Sequence, residues 1–227
     1  MERVGRLRQW LGSEDLVQAA AGYGERGLRV VPCHHPMITI GPDRWRTWAC
    51  SCSTVACASP AEHPIPVCWA EEATDQPAGI AAWWRQDPER NVGLLTGGPF
   101  EVLDVPAALG KAALERCARR GIRGPVVRTG NGRYHFYVTA IGMANGFVPS
   151  QPGSGRSGVF WHGEGGWVIA PPSRHMNGGV SRWLHPLSTP LPAAHLVLRE
   201  LLDLQDELCG GAAAPGAAAP DRGALAP

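Results

Sequence analysis

An excess of charge of either sign is missing from this sequence. Its 21 Lys and Arg are matched by 20 Asp and Glu, leaving a net charge of +1 over 227 residues. That excludes a protein that holds nucleic acid through a global basic excess, so any such contact has to come from a local patch. Long apolar runs are missing too. No stretch approaches the ~18 apolar residues of a membrane span, and the opening MERVGRLRQWLGSEDL has no segment suited to a secretory signal. No internal repeat is visible. These absences imply a cytoplasmic protein with no membrane partner. In that compartment its seven cysteines are expected to be reduced or metal-bound, not paired as disulfides.

What is present suits a folded domain of many short elements. Apolar residues make up 44% of the chain, enough for a sizeable core, and 29 Gly and 21 Pro favour turns over a long helical bundle. A short amphipathic helix is expected over residues 1–12, and a second over Glu14–Arg26 behind the N-cap candidate Ser13. Gly27 ends that helix, and Leu28–Pro32 reads as a buried strand. A helix follows Thr74-Asp75, with Pro77 in its first turn and Trp83 and Trp84 as core-packing anchors. Strands are expected at 91–96 and 100–105, a helix at 107–120, and a hairpin of 125–129 and 133–139 around Gly130-Asn131-Gly132. After a polar loop at 142–157 come strands near 158–161, 166–170 and 180–183, then a helix at 191–208. The organisation read from this is one domain over residues 1–209, with an insertion at 33–72. The Ala/Gly/Pro tail 210–227 is expected to be disordered, because it has too little apolar surface to offset its ordering entropy.

The insertion has little periodicity and holds five of the cysteines. A loop of that length calls for a function or a staple. Cys50, Cys52, Cys57 and His63 follow the pattern C-x-C-x4-C-x5-H, a donor set for a tetrahedral structural Zn²⁺ that would supply the folding energy the loop lacks. Cys33 and Cys68 are alternates for one of the ligands. Glu62 lies beside His63 but does not match the H-x-E pattern of a catalytic deaminase zinc.

The segment Phe100–Pro106 reads FEVLDVP. Carboxylates at alternate strand positions share a face and can hold a pair of metal ions for nucleotidyl transfer. Asp104 is placed to be the first of such a pair. The residue two further on is Pro106, which offers no ligand atom, and Glu101 falls on the other face. Asp104 has a second reading as a cap for the helix beginning near Ala107, and His135 a second reading as a structural strand histidine.

Several stretches, in order, resemble the N-terminal Prim-Pol domain of bifunctional DNA primase/polymerases, of the archaeo-eukaryotic primase superfamily. They are AAAGYGERGLRVVP, the Cys-rich segment ending in His63-Pro64, ATDQPAGIAAWWRQDPERNVGLLTGGPFEVLDV, TGNGRYHFYV and HGEGGWVIAPPS, and together they span roughly residues 15–185. The resemblance implies an α+β fold with an RRM-like mixed or antiparallel central sheet flanked by helices. It implies catalytic roles for Asp104 and His135, the latter against nucleotide phosphates. Arg128, Arg133, His162, Arg174 and His175 are the candidates for a nucleotide- or nucleic-acid-binding surface beside them. It also implies Mg²⁺ or Mn²⁺ if the chain is catalytic, nucleotide or DNA as ligand, and a separate helicase or replication protein as partner. Two departures stand out. Pro106 replaces the second carboxylate of the family's Asp-x-Asp, and Phe160 falls where a third acidic residue belongs, with His162 where an Arg is usual. The expected function is therefore a primase/polymerase-like domain that is weakened or inactive. The alternatives are a non-catalytic nucleotide- or DNA-binding module and a protein-interaction scaffold.

Overall fold

Alternating apolar residues along short strands build the frame. The computed structural model describes residues 13–40, 46–148 and 158–210. The helix expected over 1–12, most of the loop expected at 142–157 and the tail beyond Gly210 lie outside the described residues. The elements are α1 (Ser13–Gly24), β1 (Val30–Cys33), β2 (Pro36–Ile40), β3 (Arg46–Cys50), α2 (Trp69–Glu72), α3 (Pro77–Gln86), β4 (Asn91–Leu95), β5 (Phe100–Val105), α4 (Ala107–Arg119), β6 (Val126–Arg128), β7 (Tyr134–Thr139), β8 (Gly146–Phe147), β9 (Phe160–His162), β10 (Trp167–Ala170), β11 (Arg182–His185) and α5 (Ala194–Gly210). The fold is α+β, and every strand pairing among the described residues is antiparallel.

The single central sheet expected from the sequence is divided. One sheet has the order β11-β6-β7-β5-β9-β8, a second has β1-β4-β10, and β2 and β3 form a separate hairpin. That hairpin corrects the reading of residues 33–72 as irregular. Its apolar residues Met37, Ile38, Ile40 and Trp48 are largely exposed, which is why the segment shows no core-facing period. At the start of α3, Gln76 is the cap residue and no side chain caps it. Thr74 Oγ1 instead accepts a hydrogen bond from the Gln76 amide, 3.1 Å.

Side-chain alternation gives the six-stranded sheet two different faces. On β5, Phe100 and Val102 point into a core shared with Val127 and Tyr137 of the same sheet, Val92, Leu94 and Val168 of the three-stranded sheet, and Leu16, Ile80 and Trp84 of α1 and α3. Leu103 and Val105 point the other way, into a core closed by Leu109 and Ala113 of α4 and Val197 and Leu201 of α5. Each fully buried side chain of this size contributes about 1.5–3 kcal/mol, so both faces are firmly specified, and slipping β5 by one residue would exchange its two apolar sets. Asp104 continues the Phe100, Val102 row. It therefore emerges where the first core gives way to the mouth between the two sheets.

The connection from β9 to β10 is made tight by its glycines. A Cβ at Gly163 would sit 1.8 Å from the Met143 carbonyl oxygen, and Gly165 has φ +68°. Thr96 Oγ1 donates to the Gly163 carbonyl at 2.7 Å and the Thr96 amide to the Gly166 carbonyl at 2.9 Å. The Gly-x-Gly-Gly signature is thus a requirement of backbone approach, which fixes how β9 hands the chain to the second sheet. No helix among the described residues is long and apolar enough to cross a membrane.

Candidate functional site

Strand register assembles the first site. Asp104 pairs with His135 on β7 and with Phe160 on β9. Because β9 residues alternate, His162 shares the face of Phe160 and Asp104, while Trp161 points into the α4–α5 core. The result is a cleft of about 180 Å³ whose lining includes Asp104, Arg133, His135, His162, Glu62 and Trp167.

The side chains that engage Asp104 directly are nitrogen groups. Arg133 Nε donates to its Oδ1 at 2.7 Å, and Arg133 Nη2 donates to the Asp104 and Gly158 carbonyls at 3.2 and 2.9 Å. His135 Nε2 lies 3.7 Å from Oδ1 and His162 Nε2 lies 3.9 Å from Oδ2. Burial raises the Asp104 pKa, but the nearby His162, His135 and Arg133 outweigh it and hold the carboxyl at about 2. His135 is buried with its side chain only 7% exposed. That desolvation, against the opposing pull of Asp104, lowers its pKa to about 4. At neutral pH His135 is therefore an uncharged imidazole, and Arg133 is the cation that balances Asp104. His135 Nδ1 is buried without a hydrogen-bond partner among the described residues.

The capping role for Asp104 does not hold. Pro106 occupies the N-cap of α4 and no side chain caps it. Glu101 does fall on the opposite face, as expected. It is fully buried and accepts hydrogen bonds from Trp161 Nε1 at 2.9 Å and from the Gly142 and Met143 amides at 2.8 and 2.9 Å. It clamps a loop and takes no part in the cleft. Phe160 packs its ring against Phe147 and His162, with centroids 5.2 and 4.8 Å apart, which puts an aromatic cluster where a third carboxylate was expected.

The proposed basic surface is only partly assembled. Arg133 and His162 meet at Asp104, and His175 stands at the rim, its Nε2 3.7 Å from Glu62 Oε1. Arg128 pairs with Tyr134, one residue out of step with His135, and so belongs to the opposite face of the sheet. Arg174 is buried and turned to Glu89, which it binds through Nη2. Those two residues are not part of the cleft because strand parity directs one away and an ion pair holds the other.

Sequence reasoning missed two residues here. Glu62 enters the cleft from the Cys-rich insertion, accepting a hydrogen bond from Asn131 Nδ2 at 3.2 Å. Burial pushes its pKa above the usual carboxylate range, the nearby Asp104 adds to this, and His175 and Arg133 oppose it. The available signal was its place next to a metal-ligand candidate. Asn91, fully buried at the start of β4, directs Nδ2 to the carbonyls of Arg174 at 2.7 Å, Ala61 at 2.9 Å and His34 at 3.2 Å, and accepts from the Arg174 amide at 2.8 Å. It locks the insertion onto the second sheet, which explains an Asn in front of Val-Gly in a strand that is otherwise apolar.

The second site is the Cys/His cluster. One ligand atom from each of Cys50, Cys52, Cys57 and His63 lies within 4.8 Å of all the others, an arrangement that could hold a metal ion. His63 Nε2 is 3.6 Å from Cys50 Sγ and 3.4 Å from Cys57 Sγ. Hydrogen bonds from Thr54 lower the Cys52 thiol pKa to about 6, toward the thiolate that metals bind. The alternates are elsewhere: Cys33 is buried against the Val31 carbonyl, and Cys68 is exposed just ahead of α2.

The profile of the family described as bifunctional DNA primase/polymerase, N-terminal (Prim-Pol), matches residues 20–196, most of the chain. The chain belongs to that family. Among solved structures, it is similar to the polymerase domain of Mycobacterium tuberculosis ligase D in complex with DNA, at 15% identity and a TM-score of 0.37, covering 89% of this chain and 93% of that one. A search of curated proteins finds no match.

Proposed function

We propose that this chain is a Prim-Pol domain that binds a nucleotide or the phosphates of DNA in the Asp104 cleft, with nucleotidyl transfer weakened or lost. The observation that carries this reading is the company Asp104 keeps. In metal-dependent phosphoryl transfer, clustered carboxylates hold divalent ions against their hydration shells. Here Asp104 Oδ1 is engaged by Arg133 at 2.7 Å, and the neighbouring positions are Pro106 and Phe160. Arg133 and the imidazoles of His135, His162 and His175 instead offer N–H donors to an anion. The reading places the protein in the cytoplasm, acting with a separate helicase or replication protein.

In this reading the Cys/His cluster holds zinc. Three sulfur donors and one imidazole are a soft set. Zn–S bonds of about 2.3 Å and Zn–N bonds of about 2.0–2.1 Å in a tetrahedron put S and N about 3.6 Å apart, against 3.6 and 3.4 Å for His63 and its two thiols. The ion would be structural, stapling an insertion that exposes Ile38, Ile40, Val55 and Val67 and buries too little to hold itself.

A second reading, an active primase/polymerase, is favoured by Glu62, which brings another carboxylate into the cleft. Two measurements on the purified chain decide between them. Thermal stabilisation by a nucleoside triphosphate without added divalent ion is expected, about 2.7 kcal/mol at a hundred times the dissociation constant, with primer extension in Mg²⁺ or Mn²⁺ no greater than for Asp104→Ala. Extension that Asp104→Ala and Glu62→Ala both abolish would refute the binding-module reading and establish the enzyme.

A further inference from the structure

We propose that the Cys/His centre and the Asp104 cleft form one mechanical unit, with Glu62 as the positioning residue that links them. The inference concerns the same cleft as the proposed function, and it rests on that reading only for its consequence on ligand affinity.

The link is a run of direct contacts. His63 contributes Nε2 to the cluster, and the preceding residue is Glu62. Its Oε1 accepts from Asn131 Nδ2 at 3.2 Å and lies 3.7 Å from His175 Nε2, so one carboxylate holds two separate parts of the rim. Asn131 Oδ1 in turn accepts from the Arg133 amide at 3.2 Å, and the Arg133 guanidinium holds Asp104. The route from metal centre to cleft is therefore His63, Glu62, Asn131, Arg133, Asp104, with no gap.

The backbone around Glu62 belongs to both ends of this route. The Ala61 amide donates to Cys50 Sγ at 3.2 Å, and the Glu62 carbonyl accepts from Trp167 Nε1 at 3.2 Å, a side chain that also lines the cleft. Ala61 is fully buried with φ +63°, a conformation costly for a residue with a Cβ and held only where the surroundings over-determine it. Asn91 supplies part of that constraint at the Ala61 carbonyl, 2.9 Å, and Trp167 part at the Glu62 carbonyl. A metal at the cluster would add the rest through Cys50 and His63, and its loss would loosen the hold of Glu62 on Asn131 and His175.

Amide hydrogen exchange on the full chain tests this without any nucleotide. The amides to follow are those of Thr129 and Gly132 in the hairpin turn, and those of His175 and Gly178 opposite, all hydrogen-bonded within their turns. Removing metal with a chelator under reducing conditions is expected to speed their exchange about tenfold, within the range of a site-to-site coupling. Glu62→Ala, with its bound metal retained by elemental analysis, is expected to give the same increase, and the chelator should then add nothing at Thr129 and Gly132. The dissociation constant for a nucleoside triphosphate should shift equally in the two preparations. Unchanged exchange at Thr129 and Gly132 in metal-loaded Glu62→Ala overturns the proposal, and so does a chelator effect confined to residues 33–72. Should the metal-free chain lose protection throughout its core, the metal-loaded Glu62→Ala protein decides alone. A chain that binds no nucleotide but shows the coupled exchange keeps this inference and loses the functional reading.

Discussion

Replacing His135 by Gln is expected to flatten the dependence of stability on pH between 7.5 and 5.0. Burial lowers the folded-state pKa of His135 to about 4, while the unfolded chain titrates near the ordinary 6.5. As pH falls through that interval, the unfolded state takes up the proton and the folded state does not. The stability from keeping this imidazole neutral is thus complete above pH 6.5 and is lost as pH falls towards 4. The loss amounts to about 2 kcal/mol by pH 5 and about 3 kcal/mol below pH 4. The groups facing His135 are Asp104, which favours its protonation, and His162 and Arg133, which oppose it. Asp104 itself titrates near pH 2, outside the interval. Urea unfolding of both proteins at pH 7.5 and 5.0 measures the effect. The penalty of the substitution should shrink by about 2 kcal/mol at the lower pH, with titrations of the metal centre common to both proteins and cancelling. A penalty identical at the two pH values would refute the claim that His135 is neutral and desolvated beside Asp104.

Two further outcomes follow from the same contacts. Arg133→Ala leaves the Asp104 carboxylate, only 17% exposed, without its cation, and is expected to cost about 3 kcal/mol at pH 7; Asp104→Asn in the Arg133→Ala background should recover part of this in denaturant unfolding, because no charge is then left unpaired. For the proposed zinc centre, chelation should release one zinc per chain and lower the melting temperature, and Cys57→Ser should abolish both the stoichiometry and the shift, because a structural ion contributes its binding energy to folding.

Local physical chemistry accounts for what the sequence by itself determined. The strands at β4, β5 and β7, the hairpin turn between β6 and β7 and the helix α4 were legible because each rests on side-chain alternation, turn residues or helix stops within a few positions. The C-x-C-x4-C-x5-H spacing selected four donors that the chain does bring together. The exclusion of Glu101 from the face of Asp104 needed only the period of a strand. Family membership was legible from the order of landmarks, one of which, Gly163–Gly166, proves to be a packing requirement.

Only the tertiary structure decided which charged residues meet. Arg128 and Arg133 look equivalent along the chain, yet register puts Arg133 against Asp104 and Arg128 on the opposite face. Arg174 was read as basic surface, but burial beside Glu89 removes it. The arrival of Glu62 in the cleft was hidden because 42 residues and a sheet boundary separate it from Asp104; it depends on Asn91 holding Ala61 and Arg174 together, a contact without a local pattern. A site formed at the mouth between two sheets is defined by which strands are neighbours, and neighbourhood is a property of the assembled core.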